Sequence, residues 1–300
     1  MTSAAAFTVV VPTRDRPGAL GRCLESLATL DYPRERYEVV VVNDGGADDP
    51  SAVIDAYRSA FNVQLIVTPH IGPAGARNAG VGTGTHDHLA FIDDDCTAHR
   101  SWLAIMAGEL ETFPRSPVGG RVINGLYSNP YARTSQGLQD FLYRWYHEER
   151  RGHLPFFTTN NLAIARREFE AIGGFDSSFP FASEDRDWCD RALHSGRALH
   201  YAPGAIVYHW HDLTLYRFLE QHFRYGQGAV RFHSRRANRR GVGARLEPLA
   251  FYRGMFAAPF STSSDSPVSE AFLTVASQSA SFLGFIAEWS RSRGEPGGEA

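Results

Sequence analysis

Three consecutive carboxylates, Asp93-Asp94-Asp95, stand directly after an apolar run from His88 to Ile92, and a second acidic group, Glu184-Asp185, opens a later segment of helical spacing. Adjacent carboxylates repel one another, and a cation or hydrogen-bond donors offset that repulsion. The triplet is therefore a candidate holder of a hard divalent cation whose shell is completed by substrate phosphates. The simpler alternative is that Asp95 caps the next helix and its neighbours are solvated. In the second group Asp185 lies three and four positions before Trp188 and Cys189 and so shares the inward face of its helix. Asp187 and Asp190 point elsewhere, and surface pairs with Arg191 and Arg186 are expected for them. A carboxylate at a helix N-terminus stays ionised and can take a proton from an attacking hydroxyl, although helix stabilisation alone would also account for Glu184 and Asp185. Of twelve histidines, His209 and His211 follow a strand-like run from Ala205 to Tyr208. Alternation sends both to one side, where an imidazole can meet a metal or a diphosphate; packing is the alternative.

The elements that must hold these groups are legible in the first half of the chain. Phe7 to Val11, Glu38 to Val42, Val63 to Val67 and His88 to Ile92 read as buried strands separated by amphipathic segments. Helices are expected from Pro17 to Leu30, after Asp48 to Ser51, from about Pro73, and from Ser101 to Thr112. This alternation predicts an α/β fold with a Rossmann-like, mostly parallel central sheet and flanking helices. Ligands of such sheets sit beyond the carboxyl ends of the strands, which here carry Pro12-Thr13-Arg14, Asn43-Asp44-Gly45 and the aspartate triplet. After about residue 115 the regular alternation stops. An aromatic helix near Gln136 to His147 and a polar patch, Thr158-Thr159-Asn160-Asn161, are expected to receive a second substrate. The division expected is a catalytic domain over 1–225, with a nucleotide-binding half to about 115 and an acceptor half over 116–225, then a helical extension over 226–300.

Composition narrows the chemistry. All 30 basic residues are arginine, which removes every mechanism that needs a lysine amine. The formal net charge of -3 and the absence of a global basic excess give no reason to expect nucleic acid as a partner. Three cysteines without a CxxC pair suggest neither a disulfide framework nor structural zinc, and the N-terminus lacks a basic signal region; both favour a cytoplasmic location. A stretch holding Arg231, Arg235, Arg236, Arg239, Arg240 and Arg245 contains no acid, and Ala271 to Ala287 is uncharged but too polar for a confident membrane span. Peripheral contact of this extension with the inner face of the cell membrane, or packing against a second copy in a homodimer, both fit the pattern. The last eight residues read as a disordered tail.

Five segments in order carry a resemblance: Val10-Val11-Pro12-Thr13-Arg14, Val42-Asn43-Asp44-Gly45, Gly72-Pro73-Ala74-Gly75-Ala76-Arg77-Asn78-Ala79-Gly80, Phe91-Ile92-Asp93-Asp94-Asp95, and Gly173-Gly174-Phe175-Asp176 with Glu184-Asp185. Together, over residues 7 to 225, they resemble the motif series of family 2 glycosyltransferases, which have the GT-A fold. The resemblance implies a metal-dependent, inverting transfer of sugar from a nucleoside-diphosphate sugar, UDP-sugar foremost, to a hydroxyl of a glycan, lipid-linked or small-molecule acceptor. It places Pro12, Thr13, Arg14 and Asp44 at the nucleoside, with Asp44 on the base, and Arg77 and Asn78 beside the nucleotide. It places Asp93, with Asp94, near the ribose or sugar, and Asp95 and His209 on Mn2+ or Mg2+. Asp185 corresponds to the usual base, next to Glu184, and Thr159, Asn160 and Asn161 are candidate acceptor contacts. The Gln-x-x-Arg-Trp motif of processive synthases is absent, so a single addition is the implied outcome. A sugar nucleotidyltransferase would carry a glycine-rich first loop in place of Pro12-Thr13-Arg14-Asp15, and a dinucleotide enzyme would need Gly-x-Gly-x-x-Gly after the first strand. A nucleotide-sugar-binding scaffold without turnover has little use for the inward Asp185.

Overall fold

The computed structural model describes residues 5–151, 154–241, 246–261 and 266–294. Valine-rich runs buried on both faces form the parallel centre of the sheet, as expected where helices cover both sides. Strands β1 (Phe7–Thr13), β2 (Tyr37–Asp44), β3 (Asn62–Thr68) and β4 (His88–Phe91) match the four runs read from the sequence, but β3, expected to be buried, is an edge strand and leaves Val67 68% exposed. β1 pairs parallel with β2 and β4, in register Phe7 with Tyr37 and Phe7 with His88, and β2 pairs parallel with β3. Three further strands, β5 (Cys96–Ala98), β6 (Val118–Asn124) and β7 (Leu162–Ala165), have no counterpart in the sequence reading, and β8 (His200–His209) extends the run read from Ala205 to Tyr208. They are short or carry glycine and proline, which weakens the local strand signal. Antiparallel pairing of β7 with β4, β6 with β7 and β5 with β8 extends the sheet to the order β3-β2-β1-β4-β7-β6-β8-β5 among the described residues.

Helices α1 (Pro17–Ala28), α2 (Ser51–Asp55), α3 (Gly72–Thr83) and α4 (Trp102–Thr112) follow the expected positions. In α1, Pro17 pre-sets the first turn and Leu20, Cys23, Leu24 and Leu27 form one buried face, the i, i+3, i+4, i+7 spacing of a helix laid on a sheet. The remaining helices are α5 (Pro130–Tyr143), α6 (Arg166–Ile172), α7 (Glu184–His194), α8 (Leu215–Arg240), α9 (Leu249–Ser261) and α10 (Pro267–Gly294). The body of α7 is anchored by Trp188, whose fully buried ring packs with Phe169 and Phe175.

The chain divides into two compact units, and the division differs from the boundary expected at residue 225. One unit holds the residues up to Ile123 with Phe156–Pro180 and Trp188–Trp210; the other holds Asn124–Pro155, Phe181–Asp187 and the chain from His211 on. Residue 225 lies inside α8, which is continuous to Arg240 because its apolar face is buried along α10. The two helix backbones touch: a Cβ on Gly226 would collide with the Ser281 carbonyl, and one on Gly284 with the Phe223 carbonyl. The arginine-rich stretch belongs to this helix and finds acids from elsewhere in the fold. Arg236 is buried, and Arg239 donates to Asp187 Oδ1 at 3.0 Å. Arg231 lies 3.9 Å from Glu288. Arg245 and residues 295–300 lie outside the described residues. Among the described residues no helix is long and apolar enough to cross a membrane.

The second unit carries a buried histidine with a pH consequence. His222 of α8 is enclosed by Phe218 and Tyr225, with Ser135 Oγ 3.4 Å from its Nε2. Burial depresses its pKa to about 4, so the imidazole is folded in its neutral form. A depressed histidine leaves stability intact above its ordinary value near 6.5 and withdraws it as pH falls towards 4. The loss on that interval is roughly 3 kcal/mol. His222→Leu should flatten the decline in melting temperature between pH 7 and pH 4; an unchanged decline would show that this imidazole is not the group being charged.

Candidate active site

Parallel strands bring their carboxyl ends side by side, and the polar residues that follow β1, β2 and β4 form one rim. At the end of β4 the three aspartates take separate roles. Asp93 accepts Arg77 Nη2 from buried α3 at 2.6 Å. Asp94 is fully buried, accepts Thr13 Oγ1 at 2.7 Å, and faces Arg16 Nη2 at 2.5 Å. Asp95 accepts Arg16 Nη1 at 2.7 Å and lies 3.4 Å from His209 Nε2. Burial raises the Asp94 carboxyl to about 7, with Arg16 opposing the rise and Asp95 adding to it. Burial alone would lower His209, but the Asp95 carboxylate outweighs it and the imidazole is raised above its ordinary value.

The meeting of Asp95 and His209 has a simple cause. β5 begins at Cys96, one residue after the triplet, and its antiparallel register sets Cys96 opposite His209, while the Trp210 amide donates to the Asp95 carbonyl at 2.8 Å. This strand also removes the capping alternative, because α4 does not start until Trp102. Ligand atoms of Asp95, Cys96 and His209 lie within 4.8 Å of one another. Burial, reinforced by Asp95, holds the Cys96 thiol well above its usual pKa, so it remains a thiol. A carboxylate and an imidazole are left, a donor pair that fits Mn2+ or Mg2+ with phosphate and water oxygens in the other positions. His211 lies beyond the end of β8, so strand alternation does not extend to it.

Beyond β1 and β2 the rim continues through Asp44, Arg14 and Pro12 of the motif series, joined by His70, which the motifs did not single out. Asp44 is buried and accepts four donors: the Ile71 amide at 2.7 Å, the Gly72 amide at 3.0 Å, Thr68 Oγ1 at 3.3 Å and His70 Nδ1 at 2.9 Å. Its carboxylate holds the loop from β3 into α3, where Gly72 takes a left-handed backbone with φ of 80°. His70 turns its other nitrogen towards Arg14 Nη1, 3.0 Å away, and both side chains are exposed, next to half-buried Pro12. Arg16 and His70 were missed. The signal was present in position alone: each follows the carboxyl end of a parallel strand within a few residues.

Other expected contacts serve the framework. Asn78 clamps the turn before residue 176, donating to the Phe175 carbonyl at 2.7 Å and accepting its amide at 3.0 Å. Thr159, Asn160 and Asn161 are buried in a 3-10 turn and do not form an open polar patch. Asn161 accepts Trp102 Nε1 and donates to the carbonyls of Arg121 and Ala205, each at 2.9 Å, so it ties α4, β6 and β8 together. Its polarity is spent on buried backbone that would otherwise go unsatisfied.

Glu184 and Asp185 open α7. Glu184 is buried, whereas Asp185 is half-buried and accepts the Arg186 amide at 2.7 Å. Ser183, immediately before them, has φ of 78°, an uncommon backbone for a residue with a Cβ, and strain of this kind collects at functional positions. α8 passes against it, since a Cβ on Gly228 would lie 2.5 Å from the Ala182 carbonyl and 2.7 Å from Ser183 Oγ. Asp187 and Asp190 are buried and do not make surface pairs: Asp187 receives Arg239, and Arg191 donates to the carbonyls of Ile172 and Gly174. For Asp187 an arginine supplied by another helix replaced the expected i, i+4 partner, which an exposed helix face would have left available.

Comparison with known proteins bears on this rim. The family model "Glycosyl transferase family 2" matches residues 8–173, which include β1, Asp44, Arg77 and the triplet. A pre-mycofactocin glycosyltransferase of Mycobacterium tuberculosis is 32% identical over 230 residues, covering 74% of this chain and 46% of that protein. Glycosyltransferase AglE of Haloferax volcanii is 26% identical over 233 residues, covering 77% and 75%. The chain thus spans about half the length of the first of these relatives. Among solved structures, the Pyrobaculum calidifontis mannosyltransferase PcManGT, in complex with GDP-Man and Mn2+, superposes with a TM-score of 0.61 at 18% identity, covering 98% of this chain and 77% of that one. Staphylococcus aureus TarS 1-349, in complex with UDP-GlcNAc, gives 0.52 at 15%, covering 98% and 95%. At such identities the likeness establishes the fold, which is GT-A. With more than half of its length matched by the family model and the motif residues gathered at the strand ends, the chain belongs to glycosyltransferase family 2.

Proposed function

We propose that this protein transfers a sugar from a nucleoside-diphosphate sugar, UDP-sugar foremost, to an acceptor hydroxyl, with inversion and with a divalent cation as cofactor. The observation that carries the reading is the Asp95–His209 pair beside the Arg77-held Asp93, at the carboxyl ends of the parallel strands. Nucleotide-sugar donors in two structural neighbours, GDP-Man with Mn2+ in one and UDP-GlcNAc in the other, support it. Asp95 and His209 would hold the cation, which when bound neutralises charge on the diphosphate leaving group.

The rest is the work of the chain's own side chains. Arg14 and His70 offer an exposed cation and an imidazole to the nucleotide. Arg77 fixes Asp93 towards the ribose or sugar, and Thr13 with Arg16 fixes the triplet's backbone through Asp94. Asp185 accepts the proton of the acceptor hydroxyl as its oxygen bonds to the anomeric carbon; the bond from that carbon to the diphosphate oxygen breaks on the opposite face, which inverts the centre. The roles of Asp185 and Glu184 rest on their motif and on the helix-opening position they occupy, directly after the left-handed Ser183.

Calorimetric titration of UDP and GDP, with and without Mn2+, tests the reading together with a transfer assay over a panel of nucleotide-sugars. Asp95→Ala should weaken the metal-dependent part of nucleotide binding by roughly 100-fold, about 3 kcal/mol. Equal affinity with and without metal in both proteins would remove the cation from the mechanism. Binding without transfer or donor hydrolysis across the whole panel would mark a scaffold.

A further inference from the structure

The second unit carries an apolar surface that the transfer reaction does not use. Along α10, Val268, Phe272, Val275, Phe282, Ile286 and Trp289 are all exposed, with Phe272 at 74% and Phe282 at 64%. Together with exposed Ser279 they follow spacings of four, three, four, three, four and three residues, the seam of a paired helix. The opposite face is committed to the fold. Thr274, Ser277 and Ala280 are buried, and Gly284 meets the backbone of α8.

We infer that this face of α10 is a self-association surface, on which α10 of a second copy lies antiparallel about Ser279. The seam is palindromic in size. Antiparallel pairing sets Val268 against Trp289, Phe272 against Ile286 and Val275 against Phe282, with the small Ser279 on the two-fold axis. Each outer layer then joins a β-branched residue to an aromatic ring, the alternation that fills a helix interface without voids. Parallel pairing would stack ring on ring at three layers and leave a gap at Ser279. Antiparallel helices also oppose their dipoles favourably. Each aromatic ring covers about 150–250 Å² when buried, and with the three aliphatic residues and Leu283 the seam approaches the roughly 800 Å² per partner of a stable interface.

Charge argues against lipid as the occupant. From Pro267 to Trp289 the helix carries Glu270 and Glu288 and no arginine. Glu270 is bound by Arg133 at 2.8 Å and Glu288 by Arg291 at 2.7 Å, so the seam is flanked by neutralised acids and by serine, alanine and glutamine. Arg293 lies over the Trp289 ring at 4.1 Å and puts one cation at the end of the seam, but the seam offers an anionic bilayer no basic residue of its own from Val268 to Trp289.

Sedimentation velocity of the full chain from about 1 to 100 µM should show a concentration-dependent dimer, and Phe272→Asp or Phe282→Asp should each raise its dissociation constant roughly 100-fold or more. Far-UV spectra and melting temperatures of the variants check that they fold. On an otherwise unaltered chain, Ser279→Cys should form a disulfide dimer under mild oxidation. Phe272→Cys should not, since antiparallel pairing holds its two copies about 20 Å apart along the axis. The native Cys23, Cys96 and Cys189 are buried and do not interfere. A monomer throughout the range, or a dimer indifferent to both aspartates, would overturn the inference. Cross-linking at Phe272→Cys but not at Ser279→Cys would overturn the antiparallel register. Binding of the monomer to anionic vesicles, lost in Phe282→Asp, would assign the face to lipid instead.

Discussion

Asp185→Asn is expected to lower sugar transfer by roughly 10²–10⁴-fold while nucleoside-diphosphate affinity stays within about twofold. The substitution keeps the shape and the hydrogen bond from the Arg186 amide, since an asparagine oxygen accepts as the carboxylate does. It removes only the capacity to take a proton. Asp185 opens α7 and is half-buried, so its carboxylate keeps access to an incoming hydroxyl. Single-turnover transfer at saturating donor, paired with calorimetry, separates the two quantities. A variant with full turnover would exclude Asp185 as the base, and a variant that lost nucleotide binding as well would place it at the donor. Glu184, buried beside it, is the control: Glu184→Gln perturbs the same turn through packing.

Asp44→Asn should destabilise the ligand-free protein by about 3–5 kcal/mol, a fall in melting temperature on the order of 10 °C. Asp44 accepts four donors, two of them backbone amides, and is buried. An amide nitrogen in place of one oxygen turns two of those contacts donor against donor in a site that water does not relieve, and charge-assisted bonds at the other oxygen become ordinary ones. The resemblance to the family puts this residue on the nucleotide base, and a purely ligand-facing aspartate predicts a different result, with affinity lost and the melting temperature unchanged. Thermal melts without nucleotide decide between these outcomes. His70→Ala, which leaves the two amides on Asp44 and frees Arg14, should cost less stability than Asp44→Asn and weaken nucleotide binding more.

Much of this protein was legible before any coordinates. The parallel strands and the first helices carry their own instructions, because an apolar run of strand length, buried on both faces in β1 and β2, or leucines at helical spacing after a proline, has few alternatives locally. The aspartate triplet and His209 were named from residue type and place and Arg77 from the family resemblance, and the triplet lies at a strand end that the alternation had already located. The absence of lysine, with arginine as the chain's basic residue throughout, was also complete in the sequence.

Tertiary structure decided which of these polar residues gather at the strand-end rim and which serve the fold. Asn161, expected at the acceptor, and Asn78, expected beside the nucleotide, are bridges to buried backbone. Asp187 and Asp190 read as an exposed helix face and were buried instead. Arg16 drew no notice in sequence and became the cation on Asp94 and Asp95. β5, too short to announce itself, and β8, legible only from Ala205 to Tyr208, set the register that brings His209 to Asp95 across more than a hundred residues of chain. The physical reason is common to all of these. Local pattern reports how much of a side chain's own segment must be buried, whereas a polar group's role depends on which distant donor or acceptor arrives to satisfy it, and that partner is chosen only when the strands pair and the helices pack.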